Sequence, residues 1–151
     1  MSVRFSLAGP DDEGLVLSLM REFYEIEHLD FAEEPARRAL RQILESHQHG
    51  VVALMHAGEE IAGYLVLTFG FSLEFHGRDA LMDELYVREA YRGRGAGTLS
   101  LAFVEEICRA EGIHALHLEV DRANPDAQRL YHRADYQDHD RYLLTKWLEK
   151  E

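Results

Sequence analysis

Apolar and polar positions alternate over residues 3–7, VRFSL, the period of a strand with one buried face. Pro10 opens a new segment, and Asp11, Asp12 and Glu13 stand where a helix N-terminus favours acid. From there Val16, Leu19, Met20, Phe23 and Ile26 or Glu27 recur at spacings of three and four, which predicts a helix running to about Glu27. Residues 30–34 break the stripe. Pro35 suits a first helical position, and Ala36, Ala39, Leu40, Ile43 and Leu44 form a second apolar stripe. Two strand-like runs follow, 51–57 and 61–71, and the intervening Gly58-Glu59-Glu60 makes an antiparallel hairpin the simplest arrangement.

Residues 72–79 read as a polar loop and 81–87, LMDELYV, as a strand. A helix over 95–111 carries Leu99, Phe103, Val104 and Ile107 as its apolar face, with Glu105, Glu106 and Arg109 polar, and Gly112 ends it. Residues 115–120, ALHLEV, read as the next strand. Asn124 and Pro125 make an N-cap and first-turn pair, and Ala127, Leu130, Tyr131 and Ala134 share one face of the helix they start. Residues 142–147 are expected to form a last, edge strand. The order β-α-α-β-β-β-α-β-α-β is mixed α/β, with no repeat, linker or low-complexity tract, so residues 1–151 read as a single domain.

The chemistry concentrates in 81–101, LMDELYVREAYRGRGAGTLSL, where a strand delivers the cluster Arg92-Gly93-Arg94-Gly95-Ala96-Gly97 to the start of a helix. The unpaired N–H groups of a first helical turn and the positive end of its dipole attract an anion, and glycine lets a phosphate approach the backbone. Arg92 and Arg94 add two cations, which favours a pyrophosphate over a single carboxylate. A flexible solvated turn is the plainer reading, and the flanking strand and helix argue against it.

Arg92-x-x-Gly95-x-Gly97, five residues beyond Val87, resembles the acyl-CoA pyrophosphate loop of the GNAT superfamily of N-acetyltransferases. Asn124-Pro-Asp-Ala127-Gln-Arg-Leu130-Tyr131 is similar to the helix that contacts pantetheine in that family. The two motifs span 81–136, a little over a third of the chain. The resemblance implies a mostly antiparallel, twisted sheet flanked by about four helices, acetyl-CoA as acyl donor, and an amine as acceptor. It further implies that Arg92, Gly93, Arg94, Gly95, Ala96 and Gly97 cradle the pyrophosphate. The backbone groups of Leu85 and Val87 would hold the acyl arm, Asn124 would contact pantetheine, and Tyr131 would act as the acid that protonates the departing thiolate. The segment 71–87 looks like the diamine acetyltransferase branch in its Ser, Gly and paired-acid placement, which implies a small polyamine-like acceptor. Family habit also implies a homodimer. Where the family carries glycine after the pantetheine helix, this chain has Asp135, which puts the cap geometry there in question.

Asp83 and Glu84 are adjacent acids inside an apolar strand. Side chains alternate across a sheet, so both face one pocket only if a bulge intervenes, a feature the family often has there. One would take a proton from the acceptor ammonium and the other would bind its charge, with Asp83 as base the assignment that register favours and the reverse an alternative. One buried, salt-bridged acid beside one exposed acid is the plainer reading.

With 16 Lys and Arg against 28 Asp and Glu, the net charge is −12, a surface that repels nucleic acid and anionic membrane and attracts cations. Glu22, Glu25, Glu27, Asp30, Glu33 and Glu34 crowd the end of the first helix and the loop after it, as an acceptor wall or simply a solvated face. The lone Cys108 forms no internal disulfide and reads as packing, and residues 1–13 hold no apolar leader, which makes a cytoplasmic location the default. Nine histidines lack metal-site spacing, so no metal is expected, although His76 is placed where it would line the acceptor pocket. Two rivals remain: a non-catalytic acyl-CoA-binding module and a dinucleotide-binding fold. The five residues between Val87 and the loop, with Thr98 in the third-glycine position, argue against the second.

Overall fold

A computed structural model describes residues 2–149, which group into two compact units, one up to Glu119 and one from Val120 onward. The first holds a five-stranded sheet in the order β1-β2-β3-β4-β5: β1 (Arg4–Leu7), β2 (Gly50–Ala57), β3 (Glu60–Ser72), β4 (Gly77–Val87) and β5 (Ala115–Leu118). All neighbours are antiparallel except β4 and β5, which run parallel, as the helical crossover between them requires. α1 (Glu13–Ile26) follows a 3₁₀ turn at Pro10–Asp12, in which Asp12 accepts from the Gly9 N–H at 2.9 Å. α2 (Glu33–Glu45) starts two residues before Pro35, which sits in its first turn, where its missing N–H leaves no helical bond unmade.

One face of the sheet is covered by α1 and α2. Val16, Leu19 and Met20 of α1 and Leu40 and Leu44 of α2 bury against Val52, Leu54, Tyr64 and Tyr86, with Phe23 packed between. The opposite face carries Met55, Leu65 and Leu67, fully buried. Ser100 of α3 (Ala96–Ala110) reaches Met55 there, and Phe103 stacks on Phe5 at 4.7 Å. The buried stripe of α3 is Ala96, Ser100, Val104 and Cys108 at a strict spacing of four, with Leu101 beside it. Leu99, expected in the core, is 41% exposed, because small residues that let helix and sheet approach occupy the contact line instead.

The second unit contains α4 (Pro125–Arg133), capped as expected by Asn124, whose side chain accepts from the Ala127 N–H at 3.1 Å. Asp135 adopts the left-handed conformation at φ 69°, and the Tyr136 N–H closes onto the Tyr131 carbonyl at 3.0 Å, so this aspartate makes the turn that the family gives to glycine. The strand expected over 142–147 does not form. Residues 137–147 have no regular secondary structure, and an apolar run becomes a strand only where a neighbouring strand pairs with it. The polar loop expected over 72–79 is shorter, since β3 and β4 extend to a turn at 73–76.

Candidate active site

The pairing of β3 with β4 changes register at one point: Leu67 opposes Met82, and Val66 opposes Glu84. Asp83 is therefore an extra residue, a β-bulge. Without it Asp83 and Glu84 would point to opposite faces. With it Glu84 returns to the face of Tyr64 and Tyr86, beside Asp83, as the two acids need to share a pocket.

Glu84 sits between two phenols. Tyr64 donates to Oε1 at 2.5 Å, and Tyr24 of α1 donates to Oε2. Burial pushes the Glu84 carboxyl up, with Asp83 adding to it, while the two hydrogen bonds favour the ionised form and hold it down in part. Asp83 reaches solvent on one side and is desolvated by the sheet on the other, which raises it as well. Tyr24 and Tyr64 are raised far above an ordinary phenol by burial and by the carboxylate they face, so both stay protonated as donors. Neither tyrosine was singled out in the sequence. The available signal was a phenol beside the apolar stripe of α1 and another inside the apolar run 61–71, each a polar tip that burial obliges to find a partner.

Beyond the bulge, β4 leaves β5, whose pairing ends at Met82 and Leu118. The Arg88 N–H donates to the Ala62 carbonyl at 2.8 Å, so 62–88 and 64–86 are the mutually bonded pairs. Leu85 and Val87 are then the non-bonded positions, and their N–H and C=O groups turn away from β3 toward the side that β5 has vacated. This is backbone available to a ligand, as the resemblance implies for these two residues. The Val87 carbonyl accepts from Arg92 Nε at 2.7 Å.

The strand end is fixed by Arg88. Its guanidinium grips Glu22 of α1 through Nε at 3.0 Å and a second nitrogen at 2.7 Å, and also donates to the Ile61 carbonyl at 3.0 Å. Tyr86 donates to the same Glu22 at 3.0 Å. A short 3₁₀ turn (Glu89–Tyr91) then leads into the loop, where Gly93 and Gly95 both take positive φ, 73° and 84°. Gly95 is the N-cap of α3 and offers no side chain, so no cap occupies the first-turn N–H groups of Ala96 and Gly97, and nothing lies within 4 Å of where a Cβ on Gly93 or Gly95 would stand. An exposed left-handed loop with uncapped N–H groups and the two arginines fits an anionic group.

In the second unit, Asn124 and Tyr131 both belong to α4, the first as N-cap and the second on its half-buried face, edge to face with Tyr136 at 6.2 Å. Burial raises the Tyr131 phenol, which keeps its proton near neutral pH. The acidic run at the end of α1 is partly consumed by structure: Glu22 by Arg88, and Glu33 by Arg21 and Arg37. Cys108 is buried, its thiol pushed up to about 11 by desolvation, an unreactive packing residue. His76 lies in the β3–β4 turn at φ 69°. Among the described residues no group of three or more His, Cys, Asp or Glu is arranged to hold a metal, and no helix is long and apolar enough to cross a membrane.

The family model described as "Acetyltransferase (GNAT) family" matches residues 16–136. A thialysine N-epsilon-acetyltransferase of Bos taurus is 32% identical over 136 residues, covering 84% of this chain and 79% of its own length. Among solved structures, an integron cassette protein from the mobile metagenome of Cole Harbour salt marsh superposes with a TM-score of 0.84 at 31% identity, over 97% of this chain and 91% of its own. A chain from Clostridium acetobutylicum, described as a predicted acetyltransferase with acetyl-CoA, has a TM-score of 0.81 at 17% identity over 96% of each chain, a likeness of fold.

Proposed function

The chain belongs to the GNAT acetyltransferase family as an acetyl-CoA-dependent N-acetyltransferase, and on that premise we propose that it acetylates a primary amine of a small cationic acceptor by direct attack in a ternary complex. The observation that carries this reading is the bulge at Asp83, which puts two carboxylates on one face beside the unpaired backbone of Leu85 and Val87. Acetyl-CoA supplies the activated acyl group. Arg94 and the N–H groups at Gly95, Ala96 and Gly97 take the pyrophosphate, with Arg92 exchanging the Val87 carbonyl for the same anion and Gly93 giving the backbone room to turn. The freed backbone of Val87 and that of Leu85 align the pantetheine arm, and a fixed N–H there meets the negative charge that develops on the acyl oxygen. Asn124 caps the helix that contacts the same arm, and Tyr131 gives its proton to the departing thiolate.

For the acids, the geometry favours the reverse of the assignment suggested by register. Glu84, desolvated and raised, is better matched to removing a proton at neutral pH, directly or through water, whereas Asp83 is open to solvent and suits the acceptor's charge. The relatives named for thialysine, a cationic amino acid, and the net charge of −12 support a cationic acceptor. We also read the protein as a cytoplasmic homodimer, a state supported by the exposed apolar side chains of Tyr142, Leu143, Leu144 and Trp147. The test is thiol release from acetyl-CoA across a panel of amines, with Tyr131→Phe alongside. Release should depend on a cationic primary amine and fall by about a hundredfold in kcat in the variant. Full turnover by Tyr131→Phe would remove that residue from the mechanism, and binding of acetyl-CoA without release for any amine would favour a sensing module.

A further inference from the structure

Past Met82, β4 pairs among the described residues with β3 alone, so the stretch that would hold the acyl arm has a sheet neighbour on one side only. Such an end is free to swing unless contacts outside the ladder fix it, and α1 supplies them at three points. Successive helix positions are about 100° apart, so Glu22 and Tyr24 stand on either side of Phe23. Phe23 packs on Tyr86 at 5.4 Å and on Tyr64 at 6.2 Å between ring centres. On one flank Tyr24 donates to Glu84. On the other, Glu22 Oε1 accepts from the Tyr86 hydroxyl and from Arg88 Nε, each at 3.0 Å, and Oε2 accepts from Arg88 Nη2 at 2.7 Å. The anchored residues, Glu84, Tyr86 and Arg88, alternate with Leu85 and Val87, the pair whose backbone turns away from β3.

Two further features show that the anchor is built rather than incidental. Arg88 Nη1 donates to the Ile61 carbonyl at 3.0 Å, so one guanidinium joins α1, β3 and the end of β4. Gly63 opposes Val87, and a Cβ there would stand 1.9 Å from the Tyr86 carbonyl oxygen, so only glycine lets β3 close on this last pair. The sequence places Glu22 in an acidic acceptor wall, yet both of its carboxylate oxygens are engaged by β4 and Arg88. We propose that Glu22 is a positioning residue for acetyl transfer: acting through Arg88 and Tyr86, it sets the end of β4 so that the Leu85 and Val87 backbone stands in line for the acyl arm, and it ties that backbone to the helix whose Tyr24 holds Glu84. It touches neither donor nor acceptor. A misplacement of about 1 Å at a reacting centre costs about a hundredfold in rate, so a pin at the strand end bears on kcat, a role that rests on the amine-acetylation reading.

The experiment compares the wild type with Glu22→Ala, Glu22→Gln and Arg88→Lys, well below their melting temperatures. Calorimetry measures the binding of acetyl-CoA and of ADP, which carries the pyrophosphate without the pantetheine arm, and thiol release measures turnover with butylamine and with putrescine. Glu22→Ala should bind acetyl-CoA about tenfold more weakly, as the loss of one well-aligned hydrogen bond would, while ADP affinity stays within about twofold. Its kcat should fall by about tenfold or more, and by the same factor with both amines, because Glu22 does not meet the acceptor's charge. Glu22→Gln, which keeps the shape, should fall between it and the wild type. Arg88→Lys keeps the charge but loses the fork and should resemble Glu22→Ala. Adding Glu22→Ala to Arg88→Ala should cost little beyond Arg88→Ala alone, the signature of one residue acting through another. A loss confined to putrescine and to its KM would place Glu22 in the acceptor wall and overturn the proposal. Acetyl-CoA affinity or kcat that Glu22→Ala leaves at the wild-type value, or an equal loss of ADP and acetyl-CoA affinity, would overturn it too. Acetyl-CoA affinity that depends on Glu22 and not on the pyrophosphate loop, without turnover on any amine, keeps the pin and removes the amine-acetylation reading.

Discussion

Glu84 depends on two phenols for its ionised form, and this dependence has a sign. The hydrogen bonds from Tyr24 and Tyr64 stabilise the carboxylate against the burial that raises it. Removing one donor by Tyr24→Phe therefore raises the Glu84 carboxyl further. If Glu84 must be ionised to take the proton, the acidic limb of kcat/KM against pH should move to higher pH in Tyr24→Phe. A limb that stays in place would show that another group controls it. At this scale the sequence displayed the acids but not their neighbours. Asp83 and Glu84 were visible because charge inside an apolar strand is rare, whereas Tyr24 lies 60 residues away on another element, beside the apolar stripe of α1 rather than in it. The alternation rule predicted opposite faces, and only the one-residue bulge, which leaves no mark in the local composition, brings the two acids together.

Elements are held in place by a few polar contacts and by their turns, and one of each makes a prediction. Glu22 of α1 ties that helix to the end of β4 through Arg88 and Tyr86, and the Arg88 hydrogen bonds hold its carboxyl below the usual range. A lowered carboxylate contributes stability above its unfolded value and loses it as pH falls through the lowered one. Glu22→Gln should therefore melt lower than the wild type at neutral pH, with the gap closing under acid. A gap that persists below the carboxylate range would assign the effect to packing instead. At the end of α4, Asp135 holds a left-handed conformation that glycine takes without strain. Asp135→Gly should stabilise the fold by about 0.5–1 kcal/mol, net of the added freedom of the unfolded chain, and raise Tm by about 1–4 °C without changing kcat. Helices were legible to within a few residues because caps, prolines and stripes mark their ends, as Asn124-Pro125 does for α4. Residues 142–147 misled because an apolar run says what a strand could bury, not whether a partner strand stands beside it.

For the whole molecule, the glycine loop and the strand before it made the fold and a candidate anion site readable from 81–101, since their chemistry is contiguous in the chain. The proposed acceptor side draws on α1, β3 and β4, which are distant in sequence, and was legible only as paired acids and an excess of acid. A net charge of −12 draws cations toward the surface in general, but discrimination requires a charge at the site, where solvent is partly excluded. The account assigns that role to Asp83. The ratio of kcat/KM for putrescine to that for butylamine, measured by thiol release in the wild type and in Asp83→Asn, tests this most directly. The account predicts a ratio above about ten in the wild type, falling toward one in the variant while acetyl-CoA binding holds. A wild-type ratio near one, or a ratio that Asp83→Asn leaves unchanged, would contradict it.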